Sequence, residues 1–142
     1  MHRKMKSRPL NAAEIAEIQR DLQKCRAAWD AHINANTRTS IYPYLDRLIE
    51  TLTKWNRARR IRRATHFVAT SSGVASNQKR LNLLIECTAG SLGKMGPARK
   101  LTEQKRRSKW ARAVYRVKAQ GVTPKKIVAT ILKRGGFNAV LA

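Results

Sequence analysis

The helical character of this chain is clearest in residues 11–29, which read NAAEIAEIQRDLQKCRAAW. The larger apolar residues of this stretch recur at intervals of three and four, which places them on one face of an α-helix. They are Ile15, Ile18, Leu22, Cys25 and Trp29. Asn11 followed three residues later by Glu14 is the pattern of an N-terminal capping box. We therefore predict a first helix over residues 12–33 that begins at a capped N-terminus.

A second apolar stripe follows a polar break at residues 34–40. Its members, at the same helical spacing, are Ile41, Leu45, Leu48, Leu52 and Trp55. The second helix is expected to begin near Pro43, because proline suits a first helical turn. Two stripes of similar length joined by a short loop predict an antiparallel helical hairpin. The spacing leaves one alternative open, a short coiled-coil seam on residues 12–33 that pairs two copies into a homodimer.

Two further helices are expected after the hairpin. Ser76 can cap the N-terminus of a third helix, and Gly90 can end it. The fourth helix is expected to run from a cap at Thr102 to about Gln120. No convincing alternation of period two appears anywhere, so the predicted fold class is all-α.

A fifth helix is expected from a cap at Thr123 to the glycine pair at 135–136, followed by an apolar tail that folds back on the core. The predicted architecture is therefore an N-terminal hairpin with a small C-terminal helical unit, about five helices in all. The predicted segments are a basic flexible N-terminus at 1–10, the hairpin with an arginine-rich arm and the third helix at 11–89, a Gly/Pro linker at 90–101, and a basic helical pair with its tail at 102–142.

The charge of the chain is strongly one-sided. Its 142 residues include 31 Lys and Arg against 8 Asp and Glu, a formal net charge of +23. Residues 1–50 have a net charge of +3, whereas residues 51–142 have 22 basic side chains and only Glu86 and Glu103 as acids. Such self-repulsion destabilises a compact chain unless counter-charge comes from outside. A polyanion partner is therefore expected, with nucleic acid favoured over an anionic membrane surface.

The lengths of the apolar segments and the number of cysteines exclude several classes of protein. No stretch approaches the roughly 18 apolar residues of a membrane span, and no apolar region of a signal peptide follows the basic start. Two cysteines cannot build a disulfide framework. We expect a protein that is not secreted and that is cytoplasmic, or associated with a nucleoid or virion.

The most basic stretch is WNRARRIRR at residues 55–63. Continuing the second stripe beyond Trp55 would place arginines at its next positions, so the helix is expected either to extend from the hairpin as a basic arm or to kink near Asn56. No acid lies between Glu50 and Glu86 to pair with these arginines. Arginine forks bind phosphates bidentately. The stretch resembles the arginine-rich helices of RNA-binding peptides in composition, and it is similar to a nuclear-localisation run. The predicted nucleic-acid-binding arginines are Arg57, Arg59, Arg60, Arg62 and Arg63.

Two predicted helix starts are also basic. Cations in a first turn repel the positive end of the helix dipole, and this placement is favourable if an anion docks on the free backbone N–H groups. The alternative is that a lysine-rich surface tolerates a small penalty. The predicted binding residues on these two helices are Lys105, Arg106, Arg107, Lys109, Arg112, Lys125 and Lys126.

The two C-terminal helices resemble helix-turn-helix DNA readers over residues 103–134. The matching positions are Gly121, Val122 and Ile127. The chain departs from that pattern at Val117, where a small residue is usual, and at Thr130, where an apolar one is expected. A helix-turn-helix-like element is therefore one interpretation of this region.

No catalytic site, cofactor or metal centre is expected. Cys25 and His32 supply two ligands, whereas structural zinc needs four. The carboxylates are too few and too scattered for a two-metal nuclease. The tryptophans lie on apolar stripes, so they are expected to be core anchors rather than base-stacking platforms. They are Trp29, Trp55 and Trp110.

The sequence thus predicts a non-enzymatic nucleic-acid-binding protein of phage or plasmid accessory type. It is expected to act mainly on the phosphate backbone, with a slight preference for duplex DNA. Two alternatives remain at this point. One is a structural component of a nucleoprotein particle, as ribosomal and viral coat proteins are, and the other is an inhibitor that docks on a nucleic-acid-bearing machine.

Overall fold

The computed structural model describes residues 8–142, so the first seven residues of the predicted basic N-terminus lie outside the described residues. The described part of the chain is helical and contains no strand, which confirms the all-α prediction. It forms seven α-helices rather than about five. They are α1 (Ala12–Ala35), α2 (Ile41–Arg57), α3 (Ile61–Ser72), α4 (Arg80–Ala89), α5 (Pro97–Ala119), α6 (Ile127–Lys133) and α7 (Phe137–Leu141).

Helix α1 begins at the predicted capping box. The Asn11 side chain accepts a hydrogen bond from the Glu14 backbone N–H at 2.8 Å, and the Glu14 carboxylate accepts one from the Asn11 N–H at 3.1 Å. At its other end Asn36 adopts a left-handed conformation with φ 48°. The two ends of the helix are therefore defined by interactions of residues next to them in the sequence.

Helices α1 and α2 form the predicted antiparallel hairpin. The His32 ring contacts Ser40 at one end of the pair, and the Asp21 carboxylate accepts a hydrogen bond from the Trp55 indole near the other. The α1 stripe is buried inside the chain, with Ile18 and Cys25 fully covered. The coiled-coil alternative is therefore wrong, because these residues are not available to a second copy.

The predicted basic arm is wrong. Helix α2 ends at Arg57, and two hydrogen bonds close it, from the Arg59 N–H to the Asn56 carbonyl and from the Arg60 N–H to the Trp55 carbonyl. This is a Schellman ending, with an arginine at the left-handed position that glycine usually takes. Arg59 has φ 57° there. The chain therefore breaks shortly after Asn56 and starts a separate helix, α3, instead of kinking or projecting.

The sequence did not predict α3 as a separate element. Its apolar stripe is short and follows directly after the arginine-rich segment. Ala64, Val68 and Ala69 lie in the core. After Gly73 ends the helix, the chain forms a loop, and α4 begins at Arg80. The predicted cap at Ser76 is wrong, since Ser76 lies in this loop. The predicted stop at Gly90 is confirmed by its position directly after α4.

Helix α5 begins at Pro97, five residues before the predicted cap. The Thr102 hydroxyl instead donates to the carbonyl of Ala98, one turn earlier in the same helix. Residues 97–101 of the predicted linker are thus helical. The basic residues from 105 onward lie beyond the second turn of α5. They are too far from the N-terminus for its free N–H groups to share an anion with them, so that part of the anion-docking prediction is wrong.

The C-terminal segment packs back on α5. A turn at Gly121 leads into a single turn of 3-10 helix, Pro124–Lys126, and then into α6. Helix α6 has only seven residues, and Ile127, Val128 and Ile131 of these are buried. Val140 of α7 is also buried, as expected of a tail that folds onto the core. The helix-turn-helix interpretation is not confirmed by this short helix, three of whose seven residues are buried.

The core joins residues of all seven helices. Trp55 and Trp110 are buried, and the half-buried Trp29 contacts the edge of Tyr44 with 5.0 Å between the ring centroids. The tryptophans therefore act as core anchors, as predicted.

Candidate nucleic-acid interface

The fold pairs few of the basic side chains with acids. The described residues include 28 Lys and Arg, because three of the 31 precede residue 8. Six of the 28 lie within 4.0 Å of a carboxylate, which leaves 22 cations of residues 8–142 without such a partner. The six are Arg8, Arg47, Lys54, Arg60, Arg106 and Arg107. The positive charge is therefore left mostly uncompensated by the fold.

Arg60 is the one arginine of residues 57–63, hereafter the arginine turn, that pairs with carboxylates. Its Nη1 lies 3.4 Å from Glu17 and its Nε 3.9 Å from Glu14, and its side chain is 19% exposed. The expectation that these arginines have no acidic partner is wrong here, because the partners come from α1, more than 40 residues earlier. Arg60 thus ties the turn to α1.

The α1 carboxylates are held in their charged form by these neighbours. The pKa of Glu14 is lowered, first by the backbone N–H of Asn11 and then by nearby arginine charges, against the opposing effect of burial. The pKa of Glu17 is lowered first by the hydrogen bond from Lys54, then by its charge. Both acids therefore remain ionised at neutral pH and hold Arg60 in place.

The other arginines of the turn face outward. Arg57, Arg59 and Arg62 are exposed, and none of them makes an ion pair within residues 8–142. Arg63 is half-buried, and its guanidinium donates to the carbonyl oxygen of Arg8 at 2.8 Å and of Arg59 at 3.3 Å. Arg63 therefore fixes the backbone of the turn while the three exposed side chains stay accessible.

A cleft of about 490 Å³ lies between the start of α3 and the loop before α4, and we call it the α3 cleft. Its lining includes Arg62, Arg63, His66 and Arg80, together with the uncharged Gln78. Arg80 was missed by sequence reasoning, because 17 residues separate it from Arg63 and only the turn of the chain brings them together. The basic pair at residues 79–80 was its only signal.

The predicted residues of α5 separate into different environments. Lys105 and Arg106 are exposed, and Lys109 is half-buried. All three line a second cleft, described below, with Arg106 also paired to Glu103 at 3.0 Å. Arg112 is exposed and does not line this cleft. Part of the predicted set is thus gathered into one concave surface.

Arg107 is buried and does not belong to a binding surface. Only 4% of the residue is exposed, and its guanidinium donates to the carbonyl oxygens of Gly90 at 2.7 Å and Ala89 at 3.1 Å. Its Nε also lies 3.4 Å from a carboxylate oxygen of Glu103. The prediction that Arg107 binds nucleic acid is wrong, because it closes the C-terminus of α4, whose last carbonyls have no helical partner.

The second cleft, which we call the α5 cleft, has a volume of about 690 Å³. It lies where the middle of α5 faces the C-terminal end of α1 and the start of α7. Its cations are Arg38, Lys105, Arg106 and Lys109. Arg38, in the loop between α1 and α2, was missed because that loop shows no other basic residue.

Aromatic rings form the remaining walls of the α5 cleft. Tyr42 and Phe137 stack with 4.9 Å between centroids and 16° between planes, and Trp110 and His32 also line the cleft. Partial burial, followed by the charge of Arg106, lowers the pKa of His32. Its Nδ1 lies 2.6 Å from the Ser40 hydroxyl, which fixes the orientation of the ring.

Lys125 and Lys126 are exposed on the 3-10 turn before α6. Thr123 makes no side-chain hydrogen bond that caps this turn, so the predicted cap is not formed. The two lysines are therefore free surface cations rather than part of a capped helix start.

The two clefts lie at opposite ends of α1. Arg63 of the α3 cleft contacts the backbone of Arg8, just before α1 begins, whereas His32 and Asn36 at its other end line the α5 cleft. A helix of 24 residues spans about 36 Å. The predicted site residues are thus distributed over two separate surfaces.

The two cysteines are part of the core. Burial raises the pKa of Cys25 to about 11, and its sulfur lies 3.2 Å from the Thr51 hydroxyl. Burial also raises the pKa of Cys87. Among residues 8–142 no group of three or more His, Cys, Asp or Glu is placed to hold a metal ion.

None of the helices in residues 8–142 has the length and apolar character needed to cross a membrane. Comparison with protein-family models, curated proteins and solved structures finds no match for this chain.

Proposed function

We propose that this protein is a non-enzymatic nucleic-acid-binding protein that contacts the phosphate backbone and prefers duplex DNA. The observation that carries the proposal is the excess of cations without a carboxylate partner, 22 of the 28 in residues 8–142. A phosphate backbone supplies the missing counter-charge, and release of its condensed ions drives such binding.

The α3 cleft and the arginine turn beside it are the proposed contact surface. Arg62 and Arg80 line the cleft, and the exposed Arg57 and Arg59 lie on the turn that leads into it. Arginine forks bind phosphate oxygens in pairs, so four guanidinium groups at one end of the molecule favour a backbone contact. Arg63 positions the turn through its hydrogen bonds to backbone carbonyls.

The aromatic residues favour a duplex over a single strand. Proteins that bind single strands stack bases on exposed aromatic rings. Each Phe, Trp and Tyr of residues 8–142 is buried or half-buried, and none of them lines the α3 cleft or lies on the arginine turn. A duplex keeps its bases stacked inside, so it needs only the cationic surface that this protein offers.

The proposed function does not include recognition of a specific DNA base sequence. Helix α6 is seven residues long, and three of these face the core. A recognition helix presents several side chains to base edges in the major groove. Backbone contacts position a protein on the duplex without specifying the sequence.

The test replaces the exposed arginines of this surface in one variant, Arg59→Ala, Arg62→Ala and Arg80→Ala. The matched control removes the same charge from exposed positions elsewhere, Arg20→Ala, Lys24→Ala and Arg99→Ala. We expect duplex affinity to fall by at least about thirtyfold in the first variant and by less than about fivefold in the control. The thermal midpoint of the first variant should stay nearly constant, since exposed charges contribute little to stability.

The readout is a salt titration of binding to duplex DNA, single-stranded DNA and structured RNA side by side. The salt slope of the first variant should be shallower by about two to three units on duplex DNA. Equal losses in the two triple variants would contradict the assignment of the surface. Affinity that is insensitive to salt would contradict the electrostatic mechanism. Tighter binding to structured RNA would favour a component of a ribonucleoprotein particle instead.

A further inference from the structure

The α5 cleft combines cations with aromatic residues, which the arginine turn lacks. Its volume of about 690 Å³ falls within the range of small-molecule sites, roughly 300–1,000 Å³. Cations reach it from the loop before α2 and from the middle of α5. None of its lining residues carries a carboxylate.

The charges of the cleft converge from two directions. Lys105 and Lys109 are one turn apart, which places them on the same face of α5. Arg38 approaches from the loop between α1 and α2, and Arg106 is partly neutralised by Glu103 at 3.0 Å. A ligand in the cleft would therefore meet an excess of positive charge.

Aromatic rings line the cleft together with these cations. Phe137 is stacked on Tyr42, and His32 is held by the Ser40 hydroxyl. Phe137 and His32 are half-buried, and both line the cleft. The lowered pKa of His32, caused first by its burial, favours the neutral imidazole. Aromatic rings that line a cleft can stack on planar heterocycles.

We propose that the α5 cleft binds a nucleoside phosphate, with the phosphates on the lysines and Arg38 and the base against the rings of Phe137 and His32. The proposal is independent of duplex binding, since it concerns a different end of the molecule and a ligand small enough to be enclosed. Thr102 and Asn138, which also line the cleft, provide polar groups for the sugar.

The experiment measures binding of three probes by calorimetry at fixed ionic strength: ADP, pyrophosphate and adenosine. ADP has both the charge and the ring, whereas each of the others has only one. We expect ADP to bind at least about tenfold more tightly than either. Equal affinity for ADP and pyrophosphate would overturn the proposal, because the aromatic wall would then contribute nothing.

Two variants locate the site. Lys105→Ala with Lys109→Ala should weaken ADP binding by at least about tenfold. Removing the exposed lysines outside the cleft, Lys94→Ala with Lys118→Ala, should weaken it by less than about threefold. Similar losses in the two pairs would overturn the proposal, because they would indicate unspecific attraction to a basic protein.

The variant Phe137→Leu tests the ring while keeping an apolar side chain at this position. ADP affinity should fall about fivefold or more, whereas pyrophosphate affinity should not change. Equal loss for both probes would contradict stacking. The lysine variants are on the surface, so they keep the test valid even if Phe137→Leu unfolds the protein. Failure here leaves duplex binding by the arginine turn unaffected, so the two proposals fail separately.

Discussion

The arginine turn and residues 105–112 of α5 contain five basic side chains each, but the fold uses them differently. Arg60 of the turn and Arg107 of α5 are both held by carboxylates of the protein, but their environments differ. Arg60 meets the carboxylates of α1 and remains 19% exposed at its side chain. Arg107 meets two backbone carbonyls and Glu103, with 4% of the residue exposed. Equal charge density in the sequence therefore does not imply an equal role.

The two arginines also differ in whether their partner groups would find another partner if the arginine were removed. Without Arg107, the carbonyls of Ala89 and Gly90 would lose their partner in the protein interior. The Glu103 carboxylate would keep only the exposed Arg106 among residues 8–142. Without Arg60, the acids of α1 would keep Lys54 and Arg8 as neighbours. Burial and the lack of a substitute partner thus decide which basic residue the fold depends on.

The largest expected effect is the loss of stability in Arg107→Ala. Buried acceptors without a partner, together with a broken buried ion pair, cost about 3 kcal/mol in the free energy of unfolding. Urea denaturation measures this loss. The neighbouring Arg106→Ala is the matched control, and it should change stability by less than about 0.5 kcal/mol because its side chain is exposed. Equal stability of the two variants would contradict the role assigned to Arg107.

A smaller effect is expected for Arg60→Ala. This change removes the packing of the Arg60 stem and two ion pairs, so the thermal midpoint should fall by a few degrees. The drop should be smaller than for Arg107→Ala and larger than for the exposed Arg62→Ala. Thermal denaturation by circular dichroism compares the three variants. The opposite order of Arg60 and Arg62 would show that the turn does not depend on α1.

The smallest effect is expected for the lysines outside both regions. Lys125→Ala and Lys126→Ala should each weaken binding to all duplex sequences about equally and make the salt slope shallower by about one unit, as for a phosphate contact. Selection of binding sites from random duplexes checks this. A defined motif that is lost on mutation of either lysine would restore the helix-turn-helix interpretation.

The parts of the fold that the sequence predicted correctly are those governed by local rules. The capping box at Asn11 involves groups three residues apart, and the stop at Gly90 depends on a single residue. The predicted boundaries failed where such signals were ambiguous. Ser76 and Thr102 are good caps in isolation, but α4 and α5 begin elsewhere, at Arg80 and Pro97.

Site prediction reached a similar limit. The sequence identified exposed cations such as Arg62 and Lys105, since unpaired basic residues are usually on the surface. It included Arg107 wrongly and omitted Arg38 and Arg80. The exposure of a side chain depends on which residues pack over it in the fold, and the neighbouring sequence does not predict this.

By itself, the sequence determined that this protein is helical and that its positive charge exceeds what its own acids can pair with, whereas it favoured a hairpin of the first two helices and left a coiled-coil dimer open. Helical periodicity and charge counts can be read from neighbouring residues, so they need no knowledge of the fold. Only the tertiary structure decided that Arg60 and Arg107 belong to the fold, and that the remaining predicted cations do not form one surface. The partners of these two arginines are distant in sequence. Glu17 lies 43 residues before Arg60, and Gly90 lies 17 residues before Arg107. Electrostatic and hydrogen-bonding energies depend on distance in space, which the chain sets only when it has folded.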